Sequence, residues 1–485
     1  MNYTSPIQLL SVAGLYQGSS SMSALFSLAG LGALAFFITL ATQMPVSKHP
    51  TIHFAAEPAL LPVRKGKGSN EVEHISLRTL LETRCSSLFR EFHELWWLSN
   101  GHLQTMYCIM GDFSKNDLMW YSRTYLKLAD GGTLGLDWAP TDQSTVADDA
   151  PIVVVQHGLT GGSYEAYVRA ILSRACAPPE KGGLGYRAVV INFRGCAGVP
   201  VTSPLLYSAG STGDTRAAVM YIAHKYPKAP LLGLGFSLGS NLIARYLGEE
   251  GIESRIHSAC VLACPWDLRQ NNYGLLNSFT GKHVYSKALG GNLLNLMKRH
   301  LPSLLVDPDH QVAHAAREAL KLKNPTLEKF DDTFTRIAGG PAPYWPFPDA
   351  NAYYVWSSSH TIVHQITVPF LSINAADDPV VRHVPMDGGW NGLVVMGLTK
   401  GGGHLGWFQR GSGFVDRWTT KPVMEWLTLM GQDIYHEQKP RGRRIYIDDD
   451  GFLREEGTEG LGVKVVEEGV IIDGNRGEDG TTQGL

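Results

Sequence analysis

Six short apolar runs constrain this chain more than any other feature it has. They are Ile152–Val155, Ala188–Ile191, Leu231–Leu234, Ala259–Ala263, Val368–Ile373 and Leu393–Met396. Each is too short for a buried helix and too continuous for a strand with one wet face. Such runs suit strands of a parallel sheet covered on both sides. Helical patterns lie between them, at Tyr164–Arg174, Gly213–Lys225 and Asn241–Glu249. Strand alternating with helix predicts an α/β fold with a doubly wound, mostly parallel sheet. With 44% hydrophobic and 18% charged residues the chain has ample core material, which excludes wholesale disorder. Its 53 glycines favour tight strand-to-helix turns over long helical bundles. A net charge of −3 gives no basic field of the kind nucleic acid demands. The six cysteines show no CxxC or ladder spacing, so neither a zinc ribbon nor a disulfide-stapled module is expected.

The ends differ from this body. Residues 1–47 contain no Asp, Glu, Lys or Arg, and within them Ser23–Thr42 is almost wholly apolar. A helix of that length would cross a ~30 Å hydrocarbon core. The expectation is a membrane-associated protein with a single-pass anchor at 23–42. Lys48, Arg64, Lys65 and Lys67 follow the run and put the C-terminal bulk on the cytosolic side. A removable targeting peptide and a buried core helix are the competing readings; the first lacks a basic region ahead of the apolar run. Residues 48–84 read as a Pro- and charge-bearing linker, and 85–435 as the α/β domain. Within that domain about 268–350 breaks the alternation and reads as a helical lid insertion. Residues 436–485, acidic and Gly-rich, read as a disordered tail.

Gly235-Phe236-Ser237-Leu238-Gly239 matches G-x-S-x-G. The motif is weak alone. Here a strand-like run precedes it and a helix-like run follows, which would put Ser237 at the apex of a strained strand-to-helix elbow. A serine hydroxyl needs a base to take its proton. His404 is the candidate, because it follows the Leu393–Leu398 strand through the compact loop Gly401-Gly402-Gly403. The base needs a carboxylate to hold its tautomer. Asp377 and Asp378 both follow the strand ending at Ile373. Asp378, directly before Pro379, is preferred, with Asp377 as the turn cap. The order Ser237, Asp378, His404 is that of the α/β-hydrolases. Two backbone N–H groups must receive the developing oxyanion. Leu238, after the nucleophile, and Leu159, in His157-Gly158-Leu159-Thr160-Gly161-Gly162, are the candidates; His157 itself reads as structural. No H-E-x-x-H, no Cys/His ligand spacing and no P-loop occur, so no metal or cofactor is expected.

These motifs resemble one branch of the α/β-hydrolase superfamily. It holds the bacterial YheT-like hydrolases, the mammalian abhydrolase-domain proteins 1, 2 and 3, and the yeast medium-chain fatty acid ethyl ester synthase/esterases. The resemblance rests on Asn100-Gly101-His102-Leu103-Gln104-Thr105, Leu136-Asp137-Trp138, His157-Gly158-Leu159 and Asn192-Phe193-Arg194-Gly195-Cys196. It continues through Gly235–Gly239, Asn374–Pro379 and Gly402-Gly403-His404-Leu405-Gly406. It implies the Ser237–Asp378–His404 triad and action on acyl esters. One departure is Tyr207–Asp214, which lacks the histidine that many relatives carry there.

The expected function is a serine esterase/acyltransferase on medium-chain fatty acid esters, ethyl esters or monoacylglycerol. Its expected partners are an acyl ester or thioester, a water or alcohol acceptor, and a membrane or lipid surface, with no nucleic acid. The alternatives are a non-catalytic hydrolase-fold scaffold, and a thioesterase or phospholipase of the same fold.

Overall fold

The computed structural model describes residues 49–66, 71–411, 414–437, 441–458, 460–477 and 484. The strands of its first half are β1 Thr51–Phe54, β2 Leu60–Arg64, β3 Val72–Ser76, β4 Trp120–Leu128, β5 Thr133–Ala139, β6 Ile152–Gln156, β7 Arg187–Asn192 and β8 Leu231–Phe236. They are followed by β9 Ile256–Leu262, β10 Phe370–Ala375, β11 Val394–Thr399, β12 Phe408–Gly411, β13 Phe414–Arg417, β14 Ile445–Ile447, β15 Leu453–Glu455 and β16 Val463–Asp473. Twelve of them form one sheet in the order β1-β11-β10-β9-β8-β6-β7-β5-β4-β16-β15-β14. The six from β7 to β11 run parallel, and antiparallel strands flank them on both sides.

The apolar runs form strands because both faces of each are covered. On β6, Val153 and Val155 enter one core layer while Ile152 and Val154 enter the other. On β7, Ala188 and Val190 divide in the same way from Val189 and Ile191. Burying one such Val or Ile stabilises by roughly 1.5–3 kcal/mol, so a single polar substitution on β6 would disrupt a whole layer. The main helices are α1 Gly101–Met110, α2 Ala166–Ala175, α3 Gly213–Lys225, α4 Leu238–Glu250, α5 Leu268–Leu276, α6 Ser286–Arg299, α7 Gln311–Leu320, α8 Ala350–Ser357 and α9 Thr420–Thr428. Helices α5 to α8 all lie in the insertion between β9 and β10. They share a third apolar cluster, in which Leu293, Leu296 and Met297 of α6 pack with Leu238 and Leu242 of α4. The insertion therefore roofs the turn that follows β8.

Three expectations need correction. Residues 48–84 are not a plain linker: Thr51–Phe54 pairs antiparallel with β11, and β2 and β3 form a hairpin. The prolines there suggested extended chain, and tertiary pairing makes that chain a sheet edge. The tail is not disordered across its described residues. β16 pairs with β4 from Val463↔Leu128 to Asp473↔Trp120, and β14 and β15 continue the sheet. Its Val463, Val465, Val470, Ile471 and Ile472 favour strand, and the intervening charges are exposed along a strand that meets β15 only at Val463. Arg255–Glu455 at 2.5 Å and Lys225–Glu468 at 2.8 Å tie this edge to the body. The single-pass anchor is the third. Among the described residues no helix is long and apolar enough to cross a membrane, and Ser23–Thr42 lies outside those residues. The structure gives that localisation no support, and it is withdrawn.

Candidate active site

Ser237 directly follows Phe236, the last residue of β8, and its backbone sits at φ 50°, ψ −118°. A serine in that region carries a cost of about 1–3 kcal/mol. The surroundings impose it. Ser237 N–H donates to Leu262 C=O at 3.0 Å, and Gly239 N–H donates to His157 C=O at 3.1 Å. A Cβ on Gly235 would stand 2.6 Å from Ser240 Cα, and one on Gly239 would stand 2.3 Å from Gln156 O. Both glycines of the motif are needed because backbone crosses there.

The loops after β10 and β11 bring the other two residues to this turn. His404 Nε2 lies 2.8 Å from Ser237 Oγ, and His404 Nδ1 lies 2.8 Å from Asp378 Oδ2. A carboxylate can only accept, so the proton sits on Nδ1 and Nε2 is free to accept from the serine hydroxyl. The second oxygen of Asp378 accepts from Val380 N–H at 2.7 Å and Val381 N–H at 2.9 Å. Ser237 is 7% exposed, and His404 and Asp378 are 1% exposed each, so the line of groups is shielded from bulk water.

Asp377 does not face the imidazole. Its Oδ1 accepts from Gly403 N–H at 2.9 Å, which braces the loop ahead of His404. Burial pushes its carboxyl up to about 6. Of the oxyanion candidates, Leu238 is the first residue of α4, and Leu159 lies between two residues whose N–H groups are engaged. Gly158 N–H donates to Tyr167 Oη and Thr160 N–H donates to Tyr207 Oη, both at 3.0 Å. The N–H groups of Leu159 and Leu238 make no hydrogen bond among the described residues. They are available to a ligand. His157 is fully buried, and burial lowers it to about 4, so it is neutral. Its Nδ1 meets Gly158 O at 2.8 Å while Nε2 accepts from Phe193 N–H at 3.4 Å, a loop-fixing pattern.

Reading the sequence assigned no role to Asn100–Thr105, and the structure makes this segment the support of the site. Asn100 caps α1 by accepting from Leu103 N–H. A Cβ on Gly101 would meet Asp377 O at 1.9 Å, so α1 lies directly against the acid loop. Thr105 Oγ1 accepts from His404 N–H at 2.8 Å and donates to Gly101 C=O at 2.7 Å. Gln104 clamps Phe408, beyond the histidine, through both ends of its amide. The clue was a polar Gln-Thr pair followed by the apolar run Met106–Met110 in one helix, where buried polar side chains are retained only if bonded.

An apolar cluster adjoins the Asp378 loop. It joins Leu275, Tyr285 and Leu289 of the insertion to Val380 of the acid loop, with Leu159, Met106 and Ile109 packed against them. Tyr285 Oη lies 2.8 Å from His102 Nδ1, and so ties the insertion to α1.

The family model for the alpha/beta hydrolase fold matches residues 151–404. The monoacylglycerol lipase of Saccharomyces cerevisiae is 31% identical over 408 residues, covering 76% of this chain and 87% of that protein. The medium-chain fatty acid ethyl ester synthase/esterase 2 of the same yeast is 28% identical, over 68% of this chain and 84% of its own. The human phospholipase ABHD3 is 27% identical, over 70% and 80%. On a family match spanning more than half of the sequence, and a relative aligned over most of both chains, the chain belongs to the alpha/beta hydrolase fold family, in the branch whose motifs it carries.

Proposed function

We propose that this chain is a serine-type carboxylic ester hydrolase acting on acyl esters of lipids. The observation that carries the reading is the hydrogen-bonded line from Ser237 Oγ through His404 to Asp378 Oδ2. His404 Nε2 takes the hydroxyl proton as Oγ attacks the acyl carbonyl. The oxyanion is received by the N–H groups of Leu159 and Leu238, each such donor being worth ~10²–10³ in rate. The intermediate collapses, His404 returns the proton to the departing alcohol, and an acyl-Ser237 ester remains. Water, deprotonated by His404, then releases the acid and restores the serine. Replacing water by an alcohol gives acyl transfer through the same intermediate.

The apolar cluster around Val380, Leu275 and Leu289 supports an acyl chain as the group bound beside the nucleophile. The names of the relatives support a medium-chain ester or monoacylglycerol. The test is labelling with a fluorophosphonate, followed by turnover of an acyl series differing in chain length and in leaving group, thioesters included. Wild type labels and prefers esters, and Ser237→Ala loses both label and turnover, a loss of ~10⁴-fold or more. Label persisting on the alanine variant refutes the nucleophile. A wild type that neither labels nor turns over would make the chain a binding protein on a hydrolase scaffold.

A further inference from the structure

Charge is unevenly spread along the insertion. Between Asp267 and Asp307 the chain has no Asp or Glu, yet it carries Arg269, Lys282, Lys287, Lys298 and Arg299. Five cations and no acid give this stretch a formal +5, in a chain of net −3. Acids adjoin it from outside, Asp267 and Glu328 among them. Asp267 caps α5 and faces His360, and Glu328 accepts from Asn272.

The cations share their surface with large apolar groups. Tyr273 is 66%, Phe279 79% and Val284 43% exposed. Arg269 and Tyr273 lie one turn apart on α5, and both are exposed. The Phe279 ring lies 4.9 Å from that of His283, and exposed Lys282 stands between Phe279 and Val284 in the chain. The next residue, Tyr285, points inward, where it meets His102 and shares a cluster with Val380, two residues beyond Asp378. One short turn therefore shows Lys282 and apolar groups to the outside and touches the Asp378 loop on the inside.

Exposed aromatics beside Arg269 and Lys282, in a stretch with no Asp or Glu of its own, match a surface whose headgroups are anionic and whose interior is apolar. We propose that the apex of the insertion, from Arg269 to Val284, is a docking surface for an anionic lipid bilayer face. Phe279 and Val284 enter the headgroup boundary while Arg269 and Lys282 pair with the headgroups. Docking is peripheral and uses no membrane-crossing helix. It rests on the ester-hydrolase reading only for its purpose, which is to bring lipid esters to the mouth of the site. Charge complementarity selects the occupant. Residues 1–47 have no Lys or Arg, so they cannot supply a charge-dependent attraction.

The test sediments the full chain with vesicles of phosphatidylcholine alone, or of phosphatidylcholine mixed with phosphatidylserine, at low and high salt. Binding should rise with phosphatidylserine and fall with salt. Arg269→Gln combined with Lys282→Gln should weaken the phosphatidylserine-dependent part ~25-fold, since each cation near such a surface is worth about 1 kcal/mol, or about fivefold. Phe279→Ala should weaken binding to both vesicles. All variants should hydrolyse a short soluble ester as wild type does, which also shows that they fold. Wild-type binding indifferent to phosphatidylserine, or a double variant that binds like wild type, overturns the proposal. Failure of the soluble-ester assay in wild type would refute the catalytic reading and leave the sedimentation result to decide this one.

Discussion

Changing Asp378 to Asn tests the geometry of the site more sharply than removing the nucleophile, because the structure dictates how the amide must sit. Asp378 Oδ1 accepts two backbone N–H groups, from Val380 and Val381. In Asp378→Asn the side-chain oxygen must keep that place, since an NH₂ there would oppose two donors. The NH₂ is then forced into the position of Oδ2, 2.8 Å from His404 Nδ1. It can only donate, so Nδ1 becomes the acceptor and the ring proton moves to Nε2. That nitrogen faces Ser237 Oγ and can no longer take its proton. A triad locked in the wrong tautomer loses ~10⁴-fold in kcat, or about 5 kcal/mol of transition-state stabilisation. Asp377→Asn keeps an oxygen for Gly403 N–H and leaves the imidazole untouched, so it should cost less than about tenfold. The assay is steady-state hydrolysis of a short chromogenic ester by both variants, with circular dichroism to show that they fold. A loss below about tenfold in Asp378→Asn, or a larger loss in Asp377→Asn, refutes the reasoning.

Thr105→Val leaves the buried His404 N–H without an acceptor, at a cost of about 1–3 kcal/mol; kcat should fall at least tenfold with KM little changed, and Thr105→Ser should restore it. Gly239→Ala drives a Cβ to 2.3 Å from Gln156 O, so thermal melting should show a loss of about 1–3 kcal/mol or more, together with loss of activity. Glu165 is fully buried, and burial raises its carboxyl from 4.5 to about 7. The folded protein then holds a proton that the unfolded chain releases, so this group lowers wild-type stability as pH rises from 4.5 to about 7. Glu165→Gln should therefore match wild type below that window and exceed it above, as read from urea midpoints; an advantage at low pH instead would contradict the burial argument.

The parallel strands were legible because a strand covered on both faces has no polar alternation to hide its limits. Gly213–Lys225 was legible as a helix for its charged ends and apolar middle. The edges were not. Thr51–Phe54 is at most half-buried and Val463–Asp473 is mostly exposed, so their composition resembles that of a linker or a tail, and only pairing with β11 and β4 makes them strands.

At the site, the sequence by itself determined which residues stand at the carboxyl ends of strands, because each candidate follows an apolar run. It also determined that Ser237 must sit in a turn crowded on both sides, since glycines flank it at the positions where backbone approaches. Tertiary structure decided between Asp377 and Asp378. The two are adjacent in chain and chemistry, and only the N–H groups of Gly403, Val380 and Val381 assign one carboxylate to the loop and the other to the imidazole. Tertiary structure also decided that Thr105 holds His404, across 299 residues of chain. A contact so distant leaves no periodicity in the sequence, because the packing of α1 against two loops creates it, and no local preference does.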